Sequence, residues 1–284
     1  MRGRAFELTN RRGEPLRGDV FRPDVRRGRR PVVVICHGFK GFKNWGFFPE
    51  LAERLAAAGF VAIPFNFSGS GIGDDFESFT ELERFAQDTT SKQVGDLGCV
   101  LDALHDGSLD APDADLERVA VLGHSRGAAT ALIRASEDAR LHAVVGWAGV
   151  STLWRYSDEE IAAWKERGFM EFLNARTKQI MRIQYDMVED LQANRERFDL
   201  ERAARGLQAP LLIVHGEADE SVPVREARLV HAAAVRATLH VVANAGHTFG
   251  AVHPWKGSTA ALDEAIQTTT NWLTELWPDE GTRR

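Results

Sequence analysis

Continuous apolar runs recur along the chain at 31–36, 60–67, 119–122, 141–148 and 210–215, the pattern of strands covered on both faces. Amphipathic stretches separate them. Pro49 opens a helix whose apolar face is Phe48, Leu51, Ala52 and Leu55, and Gly59 closes it. Further helices are expected around 82–104, after residue 126, at about 224–235, and at about 259–276, the last apolar at Leu262, Ile266, Leu273 and Leu276. Residues 238–242 add another strand, and the loose alternation over 5–21, with a turn near Asn10 to Gly13, suggests an antiparallel hairpin at a sheet edge. Regular alternation of strand and helix predicts parallel βαβ units, hence an α/β fold with a doubly wound, mostly parallel sheet. Between about 151 and 208 the pattern changes. No strand is evident there, and Ile161, Trp164 and Phe169, then Ile180, Ile183, Met187 and Leu191, fall at helical spacing. The expectation is a helical lid over 151–208, inserted into a core made of 1–150 and 209–284.

One strand ends abruptly in Gly123-His124-Ser125-Arg126-Gly127 and gives way to a helical run. Strand, sharp turn and helix are the context a nucleophile elbow requires, with glycines where a Cβ would clash. A serine hydroxyl is a poor nucleophile near neutral pH and needs a base, an acid to orient that base, and donors for the oxyanion. In a parallel sheet the strand C-termini share one edge, so residues just after strands meet there. Asp219 and His247 each follow a strand, and Ser125, Asp219, His247 is the triad order of this architecture. Glu217 and Glu220 compete with Asp219 on the same loop, as His240 and His253 compete with His247. The place of Asp219 in His215-Gly216-x-x-Asp219 favours it, and His247 is favoured because His240 lies inside the strand and His253 sits past the turn. His37 and His124 adjoin loop glycines and are assigned to shaping the oxyanion loop or the elbow.

These motifs make the chain resemble an α/β-hydrolase-fold serine hydrolase over about 31–277. The residues concerned are His37-Gly38-Phe39, the elbow, His215-Gly216 leading to Asp219 and Val222-Pro223, and Gly246-His247. Within that superfamily it most resembles small bacterial carboxylesterases of the cinnamoyl-esterase and dienelactone-hydrolase-like groups. A dienelactone hydrolase proper carries cysteine at the elbow where this chain has Ser125, a departure that weighs against that particular activity. The resemblance implies an oxyanion hole made by the amides of Phe39 and Arg126, ester hydrolysis through an acyl-enzyme, and no cofactor. An amidase, acylpeptidase or thioesterase on the same scaffold shares the triad. A non-catalytic binding member of the fold is the more distant alternative. The guanidinium of Arg126 is assigned to a structural ion pair, and Trp45, Trp147 and Trp154 are candidates for lining an acyl pocket.

Composition narrows the partners. Hydrophobic residues form 44% and charged residues 27% of 284, enough for a large core. A net charge of −6 argues against nucleic acid, and the basic run from Arg22 to Arg30, flanked by prolines, reads as a solvated loop. No stretch approaches the ~20 apolar residues of a membrane span, and no apolar segment follows the basic start. A cytoplasmic protein acting on a small-molecule ester is expected, and a homodimer is compatible with that. Cys36 and Cys99 read as separate buried thiols. No histidine pair has metal-ligand spacing. The turn Ser68-Gly69-Ser70-Gly71-Ile72-Gly73-Asp74 lacks the third glycine of a phosphate-binding turn and reads as a flexible loop.

Overall fold

The computed structural model describes residues 3–23, 28–73, 75 and 78–278. Residues 24–27 of the basic run, and Asp74 of the glycine-rich turn, lie outside them. The chain opens with an antiparallel hairpin, β1 (Arg4–Thr9) and β2 (Pro15–Val20). It continues through β3 (Arg30–Cys36), α1 (Phe48–Ala57), β4 (Val61–Phe65), α2 (Leu82–Ala86), α3 (Thr90–Asp106), β5 (Ala114–His124), α4 (Arg126–Glu137) and β6 (Ala143–Trp147). After an excursion come β9 (Leu211–Gly216), α8 (Val224–Ala233), β10 (Ala237–Val242) and α9 (Ala260–Leu276). Eight strands form one sheet in the order β1-β2-β4-β3-β5-β6-β9-β10, antiparallel at the β1 and β2 end and parallel from β4 onward.

Alternation within the buried strands divides the core into two layers. Val32, Val34 and Cys36 of β3, Val119 and Val121 of β5, and Leu211 and Ile213 of β9 face a cluster built with α3, α4 and α8. Val33 and Ile35, Ala120 and Leu122, and Leu212 and Val214 face the opposite cluster, built with α1 and α9. Both faces of the sheet are therefore apolar, as the unbroken sequence runs require. This is the α/β-hydrolase architecture, with the C-termini of β3, β5, β9 and β10 along one edge.

The segment between β6 and β9 departs from the sequence reading. It holds α5 (Asp158–Arg167), an antiparallel hairpin of β7 (Phe169–Leu173) and β8 (Ile180–Gln184), then α6 (Asp186–Ala193) and α7 (Leu200–Gly206). Gly168, at φ 78°, ends α5, so Phe169 starts a strand and does not extend a helix. Ile180, Ile183, Met187 and Leu191 do not share one helix. The first two lie on β8, where Ile180 is 63% exposed and Met181 and Ile183 are buried, a period of two. The single helix expected over 82–104 is likewise two. It breaks at 87–89, where the Thr89 side chain accepts from the Lys92 amide and caps α3. Arg22, at the start of the basic run, is not simply solvated. It pairs with Asp113 at 2.6 Å. Cys36 is buried and Cys99 partly exposed, both as free thiols. Among the described residues no helix is long and apolar enough to cross a membrane.

Leu51 is fully buried between α1 and the sheet. Leu51→Ala is expected to cost about 2–5 kcal/mol in urea denaturation, with the circular dichroism of the folded state unchanged.

Candidate active site

The turn from β5 into α4 places Ser125 at φ 57°, ψ −123°, a backbone state costing about 1–3 kcal/mol for a residue other than glycine. The surroundings hold it there: the Ser125 amide donates to the Trp147 carbonyl at 2.8 Å, and the Ser125 carbonyl accepts from Ala128 at 3.0 Å. Two glycines make the turn possible by close approach. A Cβ on Gly123 would lie 2.2 Å from the Gly127 carbonyl oxygen, and one on Gly127 would lie 2.4 Å from the His37 carbonyl oxygen.

His247 enters from the loop after β10. Its Nε2 is 3.0 Å from Ser125 Oγ and its Nδ1 is 2.8 Å from Asp219 Oδ2. The carboxylate can only accept, so Nδ1 carries the proton and Nε2 is left to accept from the serine hydroxyl. Asp219 lies on the loop after β9, and its Oδ1 accepts from the amides of Ser221 and Val222 at 2.9 and 2.8 Å. His215 Nε2 is 2.7 Å from the Val222 carbonyl and 3.4 Å from Asp219 Oδ2. Burial alone would raise the Asp219 carboxyl, but hydrogen bonds from His215, His247 and the Val222 amide outweigh it and hold the group well below the usual carboxylate range.

Two further histidines frame the site as neutral groups. His124 Nε2 lies 2.9 Å from the His247 carbonyl, so it must donate, and the two rings stand 4.8 Å apart. Burial, helped by the neighbouring His247, pushes the His124 imidazole down to about 3. His37 donates from Nδ1 to the Gly38 carbonyl at 2.9 Å and accepts the Phe67 amide on Nε2 at 3.3 Å. Burial lowers it to about 4. Neither competes for the serine proton.

The rival residues are occupied elsewhere. Glu217 accepts from the Asn244 amide at 3.2 Å, and Glu220 is exposed. His240 is 2.7 Å from Glu264, and His253 accepts the Gly46 amide at 3.0 Å.

Ser125 and His247 open onto a cavity of about 350 Å³, which Phe39 and Arg126 also line. Its apolar wall is Val150, Leu153, Met187, Leu191 and Val222, and its polar wall is Thr90, Arg155, Tyr156 and Ser221. Gly38 packs against the elbow, where an added Cβ would meet Ser125 Cβ at 2.9 Å. Phe39 is thereby held beside the serine. Arg126 occupies the first position of α4, where an amide has no intrahelical acceptor. Its guanidinium pairs with Asp88 at 3.0 Å and lies 4.5 Å from the Phe39 ring centroid. A larger cleft of about 480 Å³ beside Arg197 and Arg202 contains no such hydroxyl, imidazole and carboxylate set.

The three tryptophans are not on the cavity wall. Trp147 is fully buried in the layer against α9, where its indole donates to Thr269 at 2.9 Å. Trp45 packs edge-on to Phe47 and stacks on His253. Trp154 packs between the core and the excursion, with Arg195 over its ring. Side chains that do line the cavity, Thr90, Arg155, Tyr156, Met187 and Leu191, have no motif to announce them. Among the described residues no group of three or more His, Cys, Asp or Glu is placed to hold a metal ion.

The sheet, the elbow and the residues gathered at its edge define an α/β hydrolase. The chain belongs to the dienelactone hydrolase family, whose model matches residues 16–277. None of the curated proteins matches it in sequence. Among solved structures it is similar to Est1E from Butyrivibrio proteoclasticus with ferulic acid bound, at a TM-score of 0.72 and 18% identity over 96% of this chain and 97% of that one. It is also similar to the esterase domain of a Rhodothermus marinus protein, at a TM-score of 0.65 and 20% identity over 97% and 99%. DcsB in complex with its substrate analogue gives 0.76 and 16% over 96% and 99%. At these identities the likeness is one of fold.

With its folded-state carboxyl depressed, Asp219 stabilises the protein above the ordinary carboxyl pKa, and that contribution is lost as pH falls below it. The thermal unfolding midpoints of wild type and Asp219→Asn should therefore separate near neutral pH and approach one another below about pH 4.

Proposed function

We propose that this hydrolase cleaves a small carboxylic ester through an acyl-enzyme on Ser125. The observation carrying this reading is the chain of hydrogen bonds from Ser125 through His247 to Asp219, 3.0 and 2.8 Å long and open to a cavity. His247 Nε2 takes the hydroxyl proton as Oγ attacks the carbonyl carbon, and Asp219 stabilises the imidazolium that forms. The developing oxyanion is met by the amides of Phe39 and Arg126. Collapse of the intermediate breaks the bond to the alcohol, which leaves with the proton from His247. Water, deprotonated by the same imidazole, then releases the acid and restores Ser125.

The excursion serves as a lid. Leu153, Met187 and Leu191 come from it and close one side of the cavity over the serine. A volume of about 350 Å³ is at the small end for a ligand site, in keeping with a compact acyl group. One wall is formed by Val150, Leu153, Met187, Leu191 and Val222, and an acyl part seated against it is apolar.

Release of p-nitrophenol from esters running from acetate to octanoate, plus one aromatic acyl group, tests this. Wild type should turn over the short to medium esters, and Ser125→Ala should lose on the order of 10³-fold or more, because the three residues act as a unit. Equal rates in the two proteins would remove Ser125 from the mechanism.

A further inference from the structure

Arg126 and Arg155 are the two arginines on the cavity wall, and each meets a buried carboxylate supplied by the protein. Arg155 lies 2.7 Å from Glu226, whose side chain is 9% exposed and also accepts from the Ser151 amide at 2.9 Å. Arg126 lies 3.0 Å from Asp88, the two side chains being 15% and 7% exposed. Asp88 sits in the break between α2 and α3 and is fixed from several sides. Gln93 donates to its Oδ2 at 2.6 Å. Gly69 lies so close that a Cβ there would stand 2.4 Å from Oδ1. The pair nevertheless keeps unused capacity, since Arg126 Nε and Asp88 Oδ1 are buried without hydrogen-bond partners. A guanidinium beside the nucleophile would draw an anionic acyl group into the cavity. With Asp88 behind it, the same guanidinium presents donors but little net charge, and a substrate carboxylate would meet an opposing charge at short range in a poorly solvated site.

Building on the ester-hydrolase reading, we infer that Asp88 is a specificity-determining residue that makes the acyl cavity select neutral esters over carboxylate-bearing ones, by neutralising Arg126. Asp88 touches neither Ser125 nor the substrate and acts through Arg126. Burial pushes its carboxyl up to about 7, against the pull of Arg126 and the Gln93 hydrogen bond. From α3, Asp96 adds to the rise and Lys92 opposes it. The neutralising charge is thus complete above that pH and lost as the pH falls through it, so the selectivity is expected to relax on acidification.

The test compares p-nitrophenyl hexanoate with the p-nitrophenyl monoester of adipic acid, which ends in a carboxylate and has the same acyl length. The readout is the ratio of kcat/KM for adipate to that for hexanoate. Any protonation step common to the two reactions cancels in the ratio. At about pH 8.5 wild type should favour hexanoate by about tenfold or more, and Asp88→Asn, which keeps the shape and the acceptor for Gln93, should raise the ratio about tenfold. Lowering the pH of wild type to about 6, where the adipate carboxylate is still ionised, should raise the ratio similarly and leave that of Asp88→Asn flat. An unchanged ratio in an Asp88→Asn protein that still hydrolyses hexanoate would overturn the inference. So would a wild-type ratio that does not move with pH, a measurement that needs no variant to fold. Failure of wild type to hydrolyse either ester would remove the ester-hydrolase reading and this inference together.

Discussion

Everything at the sheet edge depends on a steric constraint one residue wide. The elbow brings the Gly127 backbone to within van der Waals contact of the His37 carbonyl and leaves no room for a Cβ at Gly123 or Gly127. That confined turn holds Ser125 at a positive φ, lifted clear of β5 with its hydroxyl turned to His247. The same contact fixes the loop after β3 against the elbow, which sets Phe39 beside the serine. Crowding that would be a fault elsewhere in a sheet is here what locates the hydroxyl relative to the His247 imidazole and the loop bearing Phe39.

Around that turn the electrostatics are arranged so that one imidazole is available to accept a proton. His37 and His124 are kept neutral by burial and are committed through hydrogen bonds to backbone groups. His124 also ties the elbow to the backbone of His247, linking β5 and the β10 loop. Asp219 stays ionised despite burial because four donors converge on it. One carboxylate is thus left to orient one imidazole, whose Nε2 faces the serine hydroxyl.

How much of this was legible in sequence follows from what each residue packs against. The strands 31–36, 119–122 and 210–215 stood out because both faces of the sheet are covered, so apolar residues run without interruption. Ser125 and Asp219 could be picked out because each closely follows such a strand, and His247 because it comes after the strand at 238–242 in the expected order. The β7–β8 hairpin could not, because the positions 180, 183, 187 and 191 satisfy a helical spacing by coincidence, and only burial reveals that Ile180 points outward while Met181 does not. Trp147 sits at a strand end, where spacing does not say which layer its indole enters. It enters the one filled by α9. Asp88 was invisible for another reason. Its importance lies in a partner 38 residues away, and no local pattern marks a carboxylate that a helix break happens to bury.

The excursion that carries Leu153, Met187 and Leu191 begins and ends on strands that are hydrogen-bonded neighbours, β6 and β9, paired from Val144 with Leu211 to Trp147 with Val214. Its two ends are thus fixed side by side by the sheet whatever lies between them. The elbow and the loops bearing Asp219 and His247 stand on other connections. Descent with change can therefore rewrite this one connection, lengthening it or swapping helix for hairpin, and reshape the chamber above the serine while the framework beneath is inherited intact.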